Sequence, residues 1–216
     1  MKILILDSGI LINLSMNGLL YIFEELKKIS QVRFAITKDV KYEVVDRPIG
    51  IPRFELGALQ VQSLFNSGII EPPENFGISE KEILPLTEKL MDLANHSMQS
   101  KNQWMQIVSN AEMSCLALSQ LLSEKGIENI IGLDERTTRI LAEKPENMEK
   151  LMSEKLHQRV SINKEKLKEF SKFKFIRSTE LVYIAFKKGV LRIKGQKVLE
   201  AVLFAAKYHG SSISFE

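Results

Sequence analysis

Cysteine occurs once in this 216-residue chain, as Cys115, which excludes an intrachain disulfide framework and a cysteine zinc cluster. Cys115 sits in an apolar helical run with Met113, Leu116 and Leu118, a setting for packing rather than for nucleophilic catalysis. Histidine occurs three times, as His96, His157 and His209, too scattered for a histidine-bound zinc. No apolar run reaches the roughly 20 residues of a membrane span. Asp7 interrupts the apolar start, so neither a signal peptide nor a membrane partner is expected and the chain reads as cytoplasmic. Internal repeats and low-complexity tracts are lacking. Tryptophan is single, and Trp104 reads as a packing residue in preference to a base-stacking platform.

What is present is ordinary in amount and uneven in placement. Hydrophobic residues make up 44% and charged residues 26%, enough for an ample core either in one large domain over residues 1–216 or in two small ones. The net charge of +3 hides a division. Residues 144–197 carry 15 Lys and Arg against 6 Asp and Glu, whereas residues 1–143 carry 14 against 19. An acidic body beside a basic arm suits a cation site next to a polyanion-binding surface. A solvated helical face is the plainer reading of the arm.

The stretch that organises the chain is its start. Ile3–Leu6 is an unbroken apolar run, short enough to be a strand buried on both faces. It ends in Asp7, and after Ser8-Gly9 the apolar positions Ile10, Leu11 and Leu14 return at helical spacing. Strand, acid, turn and helix make a βα unit, and open parallel sheets bind ligands beyond the carboxyl ends of their strands. Asp7 also suits the helix N-cap. Further along, Arg33–Ile36 reads as a second strand, Thr37 as the cap of a helix holding Glu43, and Ile69-Ile70 as a short edge strand. Residues 80–107 are helix-prone with a polar break around Ser97–Asn102. Ser109-Asn110-Ala111-Glu112 opens a long apolar helix, with Glu112 in the first turn where the helix dipole favours an acid. Asn129–Leu133 repeats the opening pattern: a strand runs into Asp134-Glu135-Arg136. Residues 143–172 read as a charged helical insertion, Phe173–Ile176 as a strand, and 197–209 as a terminal helix.

In this order, Asp7, Glu43, Glu112 and Asp134 resemble the acids of the PIN domain, a family of metal-dependent nucleases. The resemblance rests on Asp7 with Gly9-Ile10-Leu11-Ile12-Asn13-Leu14, on Thr37, Val40 and Glu43, on Ala111-Glu112-Met113, on Leu133-Asp134-Glu135-Arg136, and on Ile176–Gly189. It covers roughly residues 1–142 and 173–190. Two features depart from the family pattern. Gly9 stands where many members carry Ser or Asn, and 143–172 is longer than a minimal member has. The fold implied is three-layered α/β: a central, mostly parallel twisted sheet flanked by helices, with the helical insertion added.

Four carboxylates in one cleft repel, each pair at 4 Å by roughly 1 kcal/mol in water and about 4 kcal/mol at an effective dielectric near 20. Such a cluster takes up protons or a cation. Oxygen-only ligands favour Mg²⁺ or Mn²⁺, which can activate a water and stabilise charge on a phosphate. The expected roles are Asp7 and Asp134 as direct ligands, and Glu112 as a ligand directly or through water. Glu43 is a ligand through water or a water-positioning base, and Glu135 a fifth acid. Ser8 or Thr37 could hold a water or a carboxylate. Arg136 either contacts the scissile phosphate or pairs with a neighbouring acid. Lys164, Lys166, Lys168, Lys172, Lys174 and Arg177 form the phosphate-gripping arm. The resemblance implies an endoribonuclease leaving 5′-phosphate and 3′-hydroxyl ends, with RNA favoured over DNA; the alternative for residues 143–172 is a partner-binding or dimerisation hairpin, which would make a homodimer. Two other readings stand beside it: a catalytically inactive PIN-fold scaffold that binds RNA or protein, and a phosphotransfer receiver or phosphatase. Against the last, Leu6-Asp7-Ser8 offers one acid where a receiver shows a pair.

Overall fold

The computed structural model describes residues 2–211. In chain order the first half holds β1 (Lys2–Leu6), α1 (Ser8–Met16), α2 (Tyr21–Ile29), β2 (Val32–Ala35), α3 (Lys38–Lys41), α4 (Pro52–Asn66), β3 (Ile70–Glu71) and α5 (Glu80–Asn95). Then follow β4 (Met98–Ser100), β5 (Gln103–Trp104), α6 (Asn110–Glu124), β6 (Glu128–Gly132), α7 (Arg136–Glu143) and α8 (Met148–Leu156). The chain continues through β7 (Val160–Ile162), α9 (Lys164–Leu167), β8 (Phe175–Ile176), α10 (Ser178–Lys187) and α11 (Val198–Tyr208).

The fold is α/β, built on a five-stranded sheet in the order β3-β2-β1-β6-β8 whose pairings are all parallel. Every side chain from Ile3 to Leu6 is buried, so both faces of β1 are covered by other elements, as parallel sheets require. From β1 the chain moves outward to β2 and β3 on one side, and from β6 to β8 on the other. The strand order therefore reverses between β1 and β6, where Leu6 lies beside Gly132. This reversal is the topological switch point at which open α/β sheets place their ligands. The backbone N–H of Asp7 donates to the Gly132 carbonyl at 3.0 Å, extending the pairing one residue past β1.

Gly132 holds that junction tight. A Cβ there would stand 2.8 Å from Ile10 Cδ1 and 3.4 Å from the Ile5 carbonyl oxygen, and Ile10 is itself fully buried. Gly132→Ala is therefore expected to destabilise the protein by about 1 kcal/mol through overpacking, read as a lower urea midpoint at unchanged slope. An unaltered midpoint would mean that α1 can slide over the sheet.

A second, antiparallel sheet has the order β5-β4-β7. Gln99 faces Trp104 across a hairpin whose turn, Lys101-Asn102, has both residues at positive φ (49° and 60°), as two-residue hairpin turns require. The third strand, β7, comes from residues 143–172. That segment was expected to be helical, and it holds α8, α9 and short 3₁₀ turns, but Val160–Ile162 within it pairs with Met98–Ser100. The insertion thus closes onto the α5–α6 connection through backbone hydrogen bonds. Trp104, expected in the packing, is 52% exposed on the outer strand of this sheet. Among the described residues no helix is long and apolar enough to cross a membrane.

Candidate acidic site at the sheet switch point

Asp7 follows the last residue of β1 and caps α1, its Oδ2 accepting the Gly9 N–H at 3.0 Å. Both readings of this residue meet in one place: it is a helix cap, and it lies at the switch point. Its other oxygen, Oδ1, is buried and has no hydrogen-bond partner among the described residues. Burial drives the Asp7 carboxyl up to about 7 from an ordinary 3.8, with the Glu112 and Glu43 carboxylates pushing the same way and the Gly9 and Ser8 N–H groups pulling back. Asp7, Glu43 and Glu112 therefore share one electrostatic neighbourhood.

Glu43 comes from the π-helical turn Tyr42–Asp46, which continues α3. Such turns shift side chains off the α-helical register and recur at functional sites. Thr37 caps α3 as expected, through the Val40 N–H at 3.3 Å, and its hydroxyl meets Ser114 Oγ at 2.6 Å, tying α3 to α6. Ser8 donates its hydroxyl to Glu43 Oε2 at 2.6 Å. Glu112 closes a capping box with Ser109 and accepts the Thr138 hydroxyl at 2.5 Å. Burial is the largest cause raising the Glu112 carboxyl; the Glu135 carboxylate adds to it, while the Thr138 hydroxyl opposes it.

Asp134 lies two residues past β6 and is almost fully buried. Its Oδ1 accepts the Ser178 N–H at 2.9 Å and its Oδ2 the Asn13 side-chain amide at 3.2 Å. Asp134 thus ties the start of α10 to α1. Gly9 lies between the two aspartates: a Cβ on it would be 3.3 Å from Asp7 Oδ2 and 3.8 Å from Asp134 Cβ. The absence of a side chain at residue 9 leaves the gap between the two aspartates clear. Glu135 caps α7 through the Thr138 N–H at 2.7 Å. Arg136 is exposed in the first turn of α7 and makes no hydrogen bond or ion pair among the described residues.

Three residues of the site escaped the sequence reading. Asn13 is buried, donating to Asp134 and, at 2.7 Å, to the Ala206 carbonyl of α11. An amide on the apolar face of Ile10, Leu11 and Leu14 was its signal, since a buried amide needs partners. Thr138 is fully buried against Glu112, and Ser178 supplies its backbone N–H. Neither has a signature beyond a hydroxyl near a helix start. Thr138→Val is expected to destabilise by about 1–2 kcal/mol, because Glu112 loses a charge-assisted donor. Paired urea curves with and without Glu112→Gln would reveal it as a coupling; strict additivity of the two changes would count against it.

The basic arm is less free than its charge count implies. Lys168 pairs with Glu165 at 2.7 Å and Lys172 with Glu169 at 3.1 Å. Arg177 pairs with Glu180 at 3.1 Å. Lys164 and Lys174 are exposed. Lys166 leans the other way, donating to the His96 carbonyl at 3.1 Å with its ammonium 5.6 Å from the centre of the Trp104 ring.

Five acids thus converge on the carboxyl ends of β1 and β6 and the start of α6, yet among the described residues no three of them close up into a ready-made metal cluster. The donor set still fits a hard divalent cation. All its atoms are oxygens, and Asp7 Oδ1 is a buried acceptor with no donor among the described residues. Burial raises Cys115 well above the usual thiol range, and the Asp7, Glu112 and Glu43 carboxylates raise it further, so the thiol offers no soft ligand. Comparison with known proteins gives no match: no family model, no curated protein and no solved structure.

Proposed function

We propose that this chain is a PIN-like, Mg²⁺- or Mn²⁺-dependent nuclease that hydrolyses phosphodiester bonds, with RNA as its substrate class. One observation carries the reading. At the switch point of the sheet, Asp7 is buried among Glu112 and Glu43 with one oxygen lacking a donor among the described residues, and its proton affinity is raised to match. A carboxylate so placed holds a proton or a cation, and a divalent ion is the strongest competitor for that position.

Asp7 and Asp134 would be the direct ligands, with Glu112 and Glu43 binding directly or through water and Glu135 at the edge. When bound, the ion supplies water activation and neutralises charge on the phosphate. The chain's own residues do the rest. Ser8 and Thr138 orient Glu43 and Glu112 through their hydroxyls, Asn13 and the Ser178 N–H fix Asp134, and exposed Arg136 is free to meet a phosphate oxygen.

The second reading, a non-catalytic scaffold of the same fold, is favoured by the hydrogen bonds that each of these acids already accepts: Asp134 and Glu135 act as anchors for α10 and α7. One assay separates the two. Single-stranded and structured RNA, and DNA, are incubated with the protein in Mn²⁺ and in EDTA, beside Glu43→Gln and Asp134→Asn. Cleavage of RNA that needs Mn²⁺ and vanishes in both variants is the expected result. Intact substrate in Mn²⁺, with no upward shift of Tm on adding the metal, would leave the scaffold.

A further inference from the structure

The molecule's only tryptophan stands on the outer strand of the small sheet, half exposed, although indoles are usually well buried. Its ring is nevertheless held. His96 meets it edge to face, with centroids 5.3 Å apart and planes at 70°. His96 is itself fixed by Asp92, whose Oδ1 lies 2.8 Å from Nδ1. Lys166 approaches the ring while donating to the His96 carbonyl. An exposed aromatic that is pinned in place loses little freedom when something stacks on it.

Beside this ring lies a cleft of about 440 Å³, within the roughly 300–1,000 Å³ of pockets that take small ligands. One wall is the face of α5 that carries Glu88, Asp92 and Asn95 on successive turns; the other is Trp104, Gln106 and Asn110. Met91 and Met105 add apolar surface to the lining. Of the polar groups, Asn95 accepts the Ile107 N–H at 3.0 Å and Asp92 pairs with His96. That leaves Glu88, Gln106 and Asn110 to pair with the ring nitrogens and exocyclic amines of a base. They suit a phosphate poorly, because Glu88 and Asp92 repel it. The cation at the rim is Lys166, where a backbone phosphate could pass. Asn110 opens α6, two residues before Glu112, so the cleft and the acidic site sit at the same end of one helix.

We propose that this cleft is a nucleobase subsite: Trp104 is a stacking platform for one unpaired base of a single strand whose backbone continues past α6 into the acidic site. The inference rests on the nucleic-acid reading above and adds to it a preference for single-stranded substrate, since a base in a duplex has no free face to stack. It also gives Lys166 a role separate from Lys168 and Lys172, which are tied to glutamates.

The lone tryptophan makes the test direct. A single-stranded oligoadenylate labelled at one end is titrated into the full-length protein in EDTA, which prevents metal-dependent cleavage. Label anisotropy reports binding anywhere, and tryptophan emission reports the cleft. Saturable quenching with the same midpoint as the anisotropy is expected, and a fully paired duplex should not quench. Trp104→Ala should weaken binding about 10-fold or more, the usual effect of losing one base–aromatic stack, while Trp104→Phe restores most of it. The ring is half exposed, so neither change threatens the fold, and circular dichroism verifies this. Anisotropy that rises with flat emission, or that is unchanged in Trp104→Ala, would overturn the subsite and leave the nuclease reading intact. No binding by either signal, with no cleavage in Mn²⁺, would overturn both.

Discussion

Asp7→Asn is expected to make the metal-free protein more stable while abolishing its proposed activity. The native carboxyl binds its proton far more tightly when folded, at about 7 against an ordinary 3.8. An acid whose folded value is raised favours folding at low pH, and that advantage disappears as pH climbs from about 4 to about 7. Above pH 7 the ionised group opposes folding by on the order of 4 kcal/mol, since each tenfold gain in proton affinity is worth about 1.4 kcal/mol. Asparagine removes the charge yet remains a good helix cap, its side-chain oxygen able to accept the Gly9 N–H. In EDTA at pH 8 the variant should therefore unfold at higher urea than the parent, and the two curves should converge near pH 4. Added Mn²⁺ should stabilise the parent alone. A variant that is less stable at every pH would assign Asp7 to capping and nothing more.

Glu71 gives the opposite pH dependence. It lies at the end of β3 with its side chain almost fully buried, gripped by the Arg33 guanidinium and by Lys27 at 3.1 Å, with the Asn75 amide also donating. The Arg33 hydrogen bonds, more than the Lys27 and Asn75 contacts, hold its carboxyl down to about 2. A depressed acid stabilises the fold above its unfolded value of about 4.5, and that contribution fades as pH falls toward about 2. Glu71→Ala leaves Arg33 and Lys27 without their carboxylate. Removing one partner of a fully buried pair costs about 3–5 kcal/mol. Because Arg33 and Lys27 keep some water contact, about 2–3 kcal/mol is expected here, measured as a lower urea midpoint at pH 7 that merges with the parent's below pH 3. Equal midpoints at pH 7 would show that water replaces the carboxylate. Taken with Asp7, this predicts that the metal-free protein is most stable near pH 4, where the gain from Glu71 is ending and the loss from Asp7 begins.

The parts legible in the sequence were those with strong local patterns. Ile3–Leu6, Asn129–Leu133 and the helix start at Ser109-Asn110-Ala111-Glu112 marked β1, β6 and α6, because unbroken apolar runs and acids in a first turn act within a few residues. Long-range partnerships left no such trace. Met98–Ser100 pairs with Val160–Ile162 across some sixty residues; each strand is too short for alternation to register, so one read as a break and the other as helix. Glu43 was legible as an acid after Thr37, but the π-turn that aims it was not, since widening a helix by one residue changes no composition. Trp104 was misjudged because burial is a fair expectation for an indole until a hairpin lifts it clear. The charges of the arm were countable, whereas their pairing with Glu165, Glu169 and Glu180 follows from three-residue helical spacing that the charge count ignores.

The link from Asp134 through Asn13 to α11 bears on the order of events during folding. Asn13 donates to the Ala206 carbonyl and, through Asn17, connects to His209, whose Nδ1 lies 2.9 Å from the Asn17 amide oxygen. The acid at residue 134 is thus steadied by a residue near the beginning of the chain, which is steadied in turn by one near residue 206. Contacts between such distant positions form late, because a long loop must close before they repay its entropy. The finished setting of Asp134 therefore waits on the segment around residue 206. A chain made only as far as α10 would hold Asp7 and Glu112 but not the finished setting of Asp134.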